Sequence, residues 1–73
     1  MRLKAYLKQL GRNIRAARVR CGLRQVDVEA WGVVSWRHYQ KIESGLINVK
    51  VGTLLDLAKL YKTTVDEFTK IDG

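Results

Sequence analysis

Seventy-three residues with a net charge of +7 and no proline leave room for one small core, because a chain this size buries only about 60% of its unfolded surface. The single Cys21 excludes an internal disulfide, and with one histidine besides, no Cys/His metal cluster can be assembled. The longest apolar runs, such as LLDLAKL, are broken by charge, and the start MRLKAYLKQL alternates cations with leucines, so neither a membrane span nor a signal peptide is expected and the cytosol is the default compartment.

In chain order, Leu3, Leu7, Leu10, Ile14 and Ala17 repeat at the spacing of one helix face, which predicts a first helix ending near Cys21 with Gly22 as its stop. Gly11 inside that helix reads as tolerated, at about 1 kcal/mol. Cys21, at the end of the stripe, reads as a small core residue. RQVDVEAW is a second, two-turn helix, and Ser35 can cap a third that runs to Glu43 or Ser44 before Gly45. LINVKV alternates like a strand but has no partner strand, so it reads as loop. Leu54, Leu57, Ala58 and Tyr61 mark a fourth helix. Thr64 and Glu67, in capping-box relation, open a fifth that carries Val65 and Phe68. The expected fold is all-α, a compact five-helix bundle in a single domain over residues 1–73.

The charge is uneven along the chain. Residues 1–24 hold eight cations and no acid, whereas residues 25–73 hold six cations and seven acids. A basic segment on a folded domain implies an anionic partner, nucleic acid or a membrane surface. On the third helix, advancing 100° per residue places Tyr39 and Ile42 on one side and Arg37, Gln40, Lys41 and Ser44 opposite, with Trp36 and His38 on the boundaries. The outward face thus combines guanidinium, ammonium, amide and hydroxyl groups with no carboxylate. Arg and Lys can donate to guanine O6 and N7, and Gln can pair bidentately with adenine. A short helix and a glycine-containing turn precede this one, the arrangement that sets a recognition helix in a major groove.

IRAARVRCGLRQ (14–25), SWRHYQKIESG (35–45) and TLLDLAKLYKTTVDEF (53–68) together resemble the Xre/Cro-type helix-turn-helix regulators, which include small phage repressors. The resemblance implies a lambda-repressor-like five-helix domain whose third helix reads DNA. Carried over by position, Trp36, Arg37 and Lys41 match base contacts, joined by Gln40 from its outward place on the helix. Gln25, Ser35, His38 and Ser44 match phosphate contacts, and Arg24, Asn48 and Lys50 are assigned to phosphate with them. Tyr39 and Ile42 match core positions. A salt bridge between the first and third helices is also implied, at Arg18 and Glu43. Two positions depart from the family pattern: Glu29 stands where a small residue is preferred and Val33 where glycine is. Either Gly32 makes the turn one residue early, or the two helices pack differently. The segment after Gly45 lacks the usual proline and serine, which leaves the cap of the fourth helix open.

The leading expectation is a sequence-specific regulator of transcription, a repressor or autoregulator, bound as a homodimer to a pseudo-palindromic operator in double-stranded DNA. Val65, Phe68 and Ile71, at i, i+3 and i+6, are the expected dimer patch. No residues remain for an effector domain, and no cofactor, metal or small-molecule effector is expected. The alternatives are a protein-binding module such as an antitoxin-like partner, and an RNA or membrane-surface binder using the basic first helix. Catalysis is not expected, because Cys21 and His38 belong to separate helices with no third group to support them. The resemblance points to a bacterial or phage-encoded, cytoplasmic protein.

Overall fold

A computed structural model describes residues 2–70. Five helices follow one another: α1 (Leu3–Arg20), α2 (Gln25–Ala30), α3 (Trp36–Glu43), α4 (Val51–Leu60) and α5 (Val65–Thr69). The described residues contain no strand; of the LINVKV stretch, residues 46–50 form a loop as expected, while Val51 already opens α4. The chain is all-α.

The apolar stripes converge on one core of Leu7, Leu10, Ile14, Ala17, Val28, Tyr39, Ile42, Leu54, Leu57, Ala58, Tyr61 and Phe68. α1 is the spine, packed against both α3 and α5. Phe68 meets Tyr61 edge to face with ring centroids 6.4 Å apart, and the Tyr61 hydroxyl donates to that of Tyr39 at 2.8 Å. Two phenols are thereby buried with their polar ends satisfied. The Asn13 side-chain amide donates to the carbonyls of Phe68 and Lys70, at 2.9 and 2.8 Å, and ties α5 to α1. Leu3 is the exception in its stripe: it is 59% exposed.

Gly11 is not merely tolerated. A Cβ there would stand 2.7 Å from the Ile42 carbonyl oxygen and 2.8 Å from the Glu43 carbonyl carbon. The missing side chain is what lets α1 and α3 approach. Cys21 is also not a core residue. It is the exposed C-cap of α1, turned outward where Gly22 reverses the chain at φ +72°, and its thiol donates to the Tyr61 carbonyl at 3.4 Å.

The ends of the helices follow from short polar contacts. Gly45, at φ +73°, closes α3 with its N–H on the Ile42 carbonyl and that of Leu46 on the Lys41 carbonyl, a Schellman ending. Ser35 accepts the His38 N–H at 3.3 Å and caps α3. Thr64 caps α5 in the same way through Glu67 N–H, at 3.4 Å. α4 has no side-chain cap at Lys50, so its first amides lack a protein side-chain partner.

Phe68, expected in a dimer patch, is fully buried in its own chain and serves the core. Val65 is half-buried against that core. Ile71 lies outside the described residues.

Candidate nucleic-acid interface

α3 divides into two faces, as its sequence requires. Tyr39 and Ile42 are buried, whereas Arg37, His38, Gln40, Lys41 and Ser44 are exposed. Trp36 stands between, 38% exposed. A shallow concavity brings Trp36, Arg37, Gln40, Lys41 and Ser44 together with Gln25 from the start of α2 and Leu46 beyond α3. Four residues assigned to base contact and two assigned to phosphate thus share one surface, which carries two cations and no carboxylate.

The turn that presents α3 is settled by Gly32, which takes φ +76°. The reversal comes one residue before the place the family pattern gives it, and Val33 packs half-buried against the core. Glu29, the second departure, is exposed and has a partner: its carboxylate accepts the backbone N–H of Trp36. A negative group at the start of α3 also suits the helix dipole. An acid that looks misplaced in the sequence therefore caps α3 together with Ser35.

Beneath the concavity an ion pair joins α1 to α3. Arg18 Nε donates to Glu43 Oε2 at 2.7 Å and Nη2 to Oε1 at 3.2 Å, with side chains only 10% and 4% exposed. Arg18 Nη1 also donates to the Leu23 carbonyl at 2.7 Å, which fixes the approach to α2. Gln25 Nε2 donates to Glu43 Oε1 at 3.0 Å. Burial alone pushes the Glu43 carboxyl up, but hydrogen bonds from Arg18, Tyr39 and Gln25 outweigh it and hold the group below the usual carboxylate range. The pairing with Glu43 holds the Arg18 guanidinium above its ordinary value. Burial likewise raises the Tyr61 phenol to about 12, so both core tyrosines stay neutral.

The residues assigned to phosphate are less uniform. Ser35 keeps its hydroxyl hydrogen free while its oxygen caps α3. Ser44 Oγ donates to the Gln40 carbonyl at 2.8 Å, so it must rotate to meet a phosphate. Gln25 spends one side-chain N–H on Glu43 but, as the first residue of α2, offers a backbone N–H with no helical partner. Arg24 pairs with Asp27 at 3.1 Å, and the same carboxylate accepts the Arg24 backbone N–H at 2.7 Å; the Arg24 side chain holds the Asp27 carboxyl below its ordinary value. His38, Asn48 and Lys50 are exposed, on α3 and on the loop that leads to the uncapped start of α4. Sequence reasoning missed Gln25 as a partner of Glu43, Asp27 as a cap and Glu29 as another. For Asp27 the signal was present, since an acid at the third position of a helix is half of a capping box.

A short helix, a glycine turn and an exposed polar helix on a packed frame define a helix-turn-helix. A family model described as "Helix-turn-helix domain" matches residues 9–70, and the chain belongs to that family. No curated protein and no solved structure matches it. Among the described residues, no helix is long and apolar enough to cross a membrane, and no three His, Cys, Asp or Glu side chains are grouped to hold a metal ion.

Proposed function

We propose that this chain is a sequence-specific regulator of transcription of the Xre/Cro type, a repressor or autoregulator acting in the cytoplasm as one helix-turn-helix domain. It lays α3 in the major groove of double-stranded DNA. The observation that carries the reading is the shared concavity of Trp36, Arg37, Gln40, Lys41, Gln25 and Ser44, polar, cationic and free of carboxylates. Arg37, Gln40, Lys41 and Trp36 meet base edges. The start of α2 and the loop to the uncapped start of α4 hold phosphates on either side, where free amides and the positive end of each helix favour an anion. Recognition, not catalysis, is the role these groups serve.

One helix of eight residues reads few base pairs, so the protein acts as a homodimer on a pseudo-palindrome with half-sites about 10 to 10.5 base pairs apart. Phe68 is committed to the monomer core, which leaves the partly exposed Val65 as the described part of the α5 patch.

Selection of bound sites from random duplex DNA, followed by Arg37→Ala, tests the assignment. The substitution costs about 1 to 3 kcal/mol on the preferred site and little on random DNA. Equal losses on both make Arg37 a phosphate contact, and no loss on either removes α3 as the reader.

One observation favours a second reading, a protein-binding module. Trp31 is 65% exposed and lines an apolar groove with Cys21, Leu23 and Leu60, edged by Lys59 and Lys62. The groove runs between the C-terminal ends of α1, α2 and α4, and none of the residues assigned to base or phosphate contact lines it. Trp31→Ala leaves DNA binding intact under the first reading and abolishes partner binding under the second.

A further inference from the structure

Most of the positive charge of α1 has no role in the interface described above. Arg18 is paired and buried, yet Lys4, Lys8, Arg12, Arg15 and Arg20 are exposed, and none of them forms an ion pair among the described residues. Their directions differ. With Gly11 at 0° on the helix wheel, Lys4, Arg15 and Lys8 fall at about 20°, 40° and 60°, Arg12 borders them near 100° and shares a shallow depression with Arg15, and Arg20 lies near 180°.

The line of Gly11 has a known neighbour. A Cβ on Gly11 would run into the Ile42 and Glu43 carbonyls, and one on Gly45 would stand 2.7 Å from the Lys8 Cα. As the chain number falls from 11 to 8 along α1, the neighbouring number rises from 42 to 45. The Lys8 backbone therefore lies against Gly45, the residue that follows Ser44 at the exit of α3, and Lys4 lies a turn further, about 6 Å along the axis. The family match begins at residue 9, so Lys4 and Lys8 precede the segment shared with the family.

We infer that Lys4, Lys8 and Arg15 form a phosphate-binding strip of duplex DNA, continuous with Ser44 at the end of the recognition helix. The partner class follows from chemistry: three unpaired cations in a row of about 17 Å suit a regularly spaced polyanion, and they flank the groove-reading surface. The strip rests on the DNA-binding reading given above. It adds affinity without sequence preference, because phosphates carry no sequence information.

The test compares two triple variants that remove the same charge. Lys4→Gln/Lys8→Gln/Arg15→Gln deletes the strip, and Arg2→Gln/Arg20→Gln/Lys59→Gln deletes three exposed cations outside it. Binding to the selected site and to a random duplex is followed by fluorescence anisotropy across a salt series, with thermal melts to confirm folding. Deleting the strip flattens the plot of log K against log salt by about 0.9 per contact, about 2.7 in all, and weakens both duplexes by the same factor. The control changes the slope far less. Lys8→Gln alone, expected to remove about 0.9, serves if the triple variant unfolds. Equal slopes for the two triples overturn the strip, as does a strip variant that loses binding to phosphatidylserine vesicles while keeping its DNA slope. A wild-type protein with no preferred site overturns the regulator reading instead, and the slope on random duplex still decides the strip.

Discussion

Removing Arg18 isolates the most constrained charge in the protein. In Arg18→Met the Glu43 carboxylate loses bonds of 2.7 and 3.2 Å and retains Gln25 at 3.0 Å, while its side chain is 4% exposed. Stranding one member of a buried pair costs about 3 to 5 kcal/mol, a large share of the roughly 5 to 15 kcal/mol that holds a small domain together. Glu43→Leu strands Arg18 instead, but its Nη1 keeps the Leu23 carbonyl, so the cost falls at the lower end of that range. The double variant, with both charges replaced by apolar groups, recovers much of the loss. Urea unfolding of the four proteins closes a double-mutant cycle. The expected coupling is at least about 2 kcal/mol, well outside the roughly 0.5 kcal/mol scatter of independent sites. Coupling near zero, with each single loss under about 1 kcal/mol, refutes the assignment of the pair as a buried strut beneath α3.

The same carboxyl gives a pH dependence. Its folded pKa lies below the ordinary 4.5, so the stability it contributes is present above the unfolded value and is lost as pH falls through the folded one; melts at pH 7 and pH 3 lose more for wild type than for Glu43→Gln, and equal losses refute the shift. Gly11→Ala, against the usual gain of about 1 kcal/mol from alanine in a helix, destabilises by about 1 to 3 kcal/mol through overpacking on α3. Gly52→Ala in α4, where a Cβ meets nothing within 4 Å, stabilises by about 0.4 to 1 kcal/mol. The same sign for both in urea unfolding removes the close approach as the reason for Gly11.

Periodicity made much of this protein legible. A helix fixes which of its residues share a face, so the stripes of α1 and α4, the inward Tyr39 and Ile42 and the outward Arg37, Gln40 and Lys41 follow from spacing alone. Caps are local too, and Ser35 and Thr64 stand where their side chains reach the amides three residues on. What one helix meets on another is not local. Gly11 reads as a weak point until α3 is laid against it, and Glu29 as a defect until Gly32 turns the chain early and brings the Trp36 N–H to its carboxylate. Cys21 and Leu3 continue an apolar stripe by number, yet both are exposed; Cys21 stands past the last turn of α1, where Gly22 reverses the chain, and spacing alone does not show how far along a stripe the other helices pack. Gln25 needs both α1 and α3 in place before its amide can join Glu43 and Arg18. Such contacts depend on crossing angles and close approaches between elements far apart in the chain, and those are set only when the whole core packs at once.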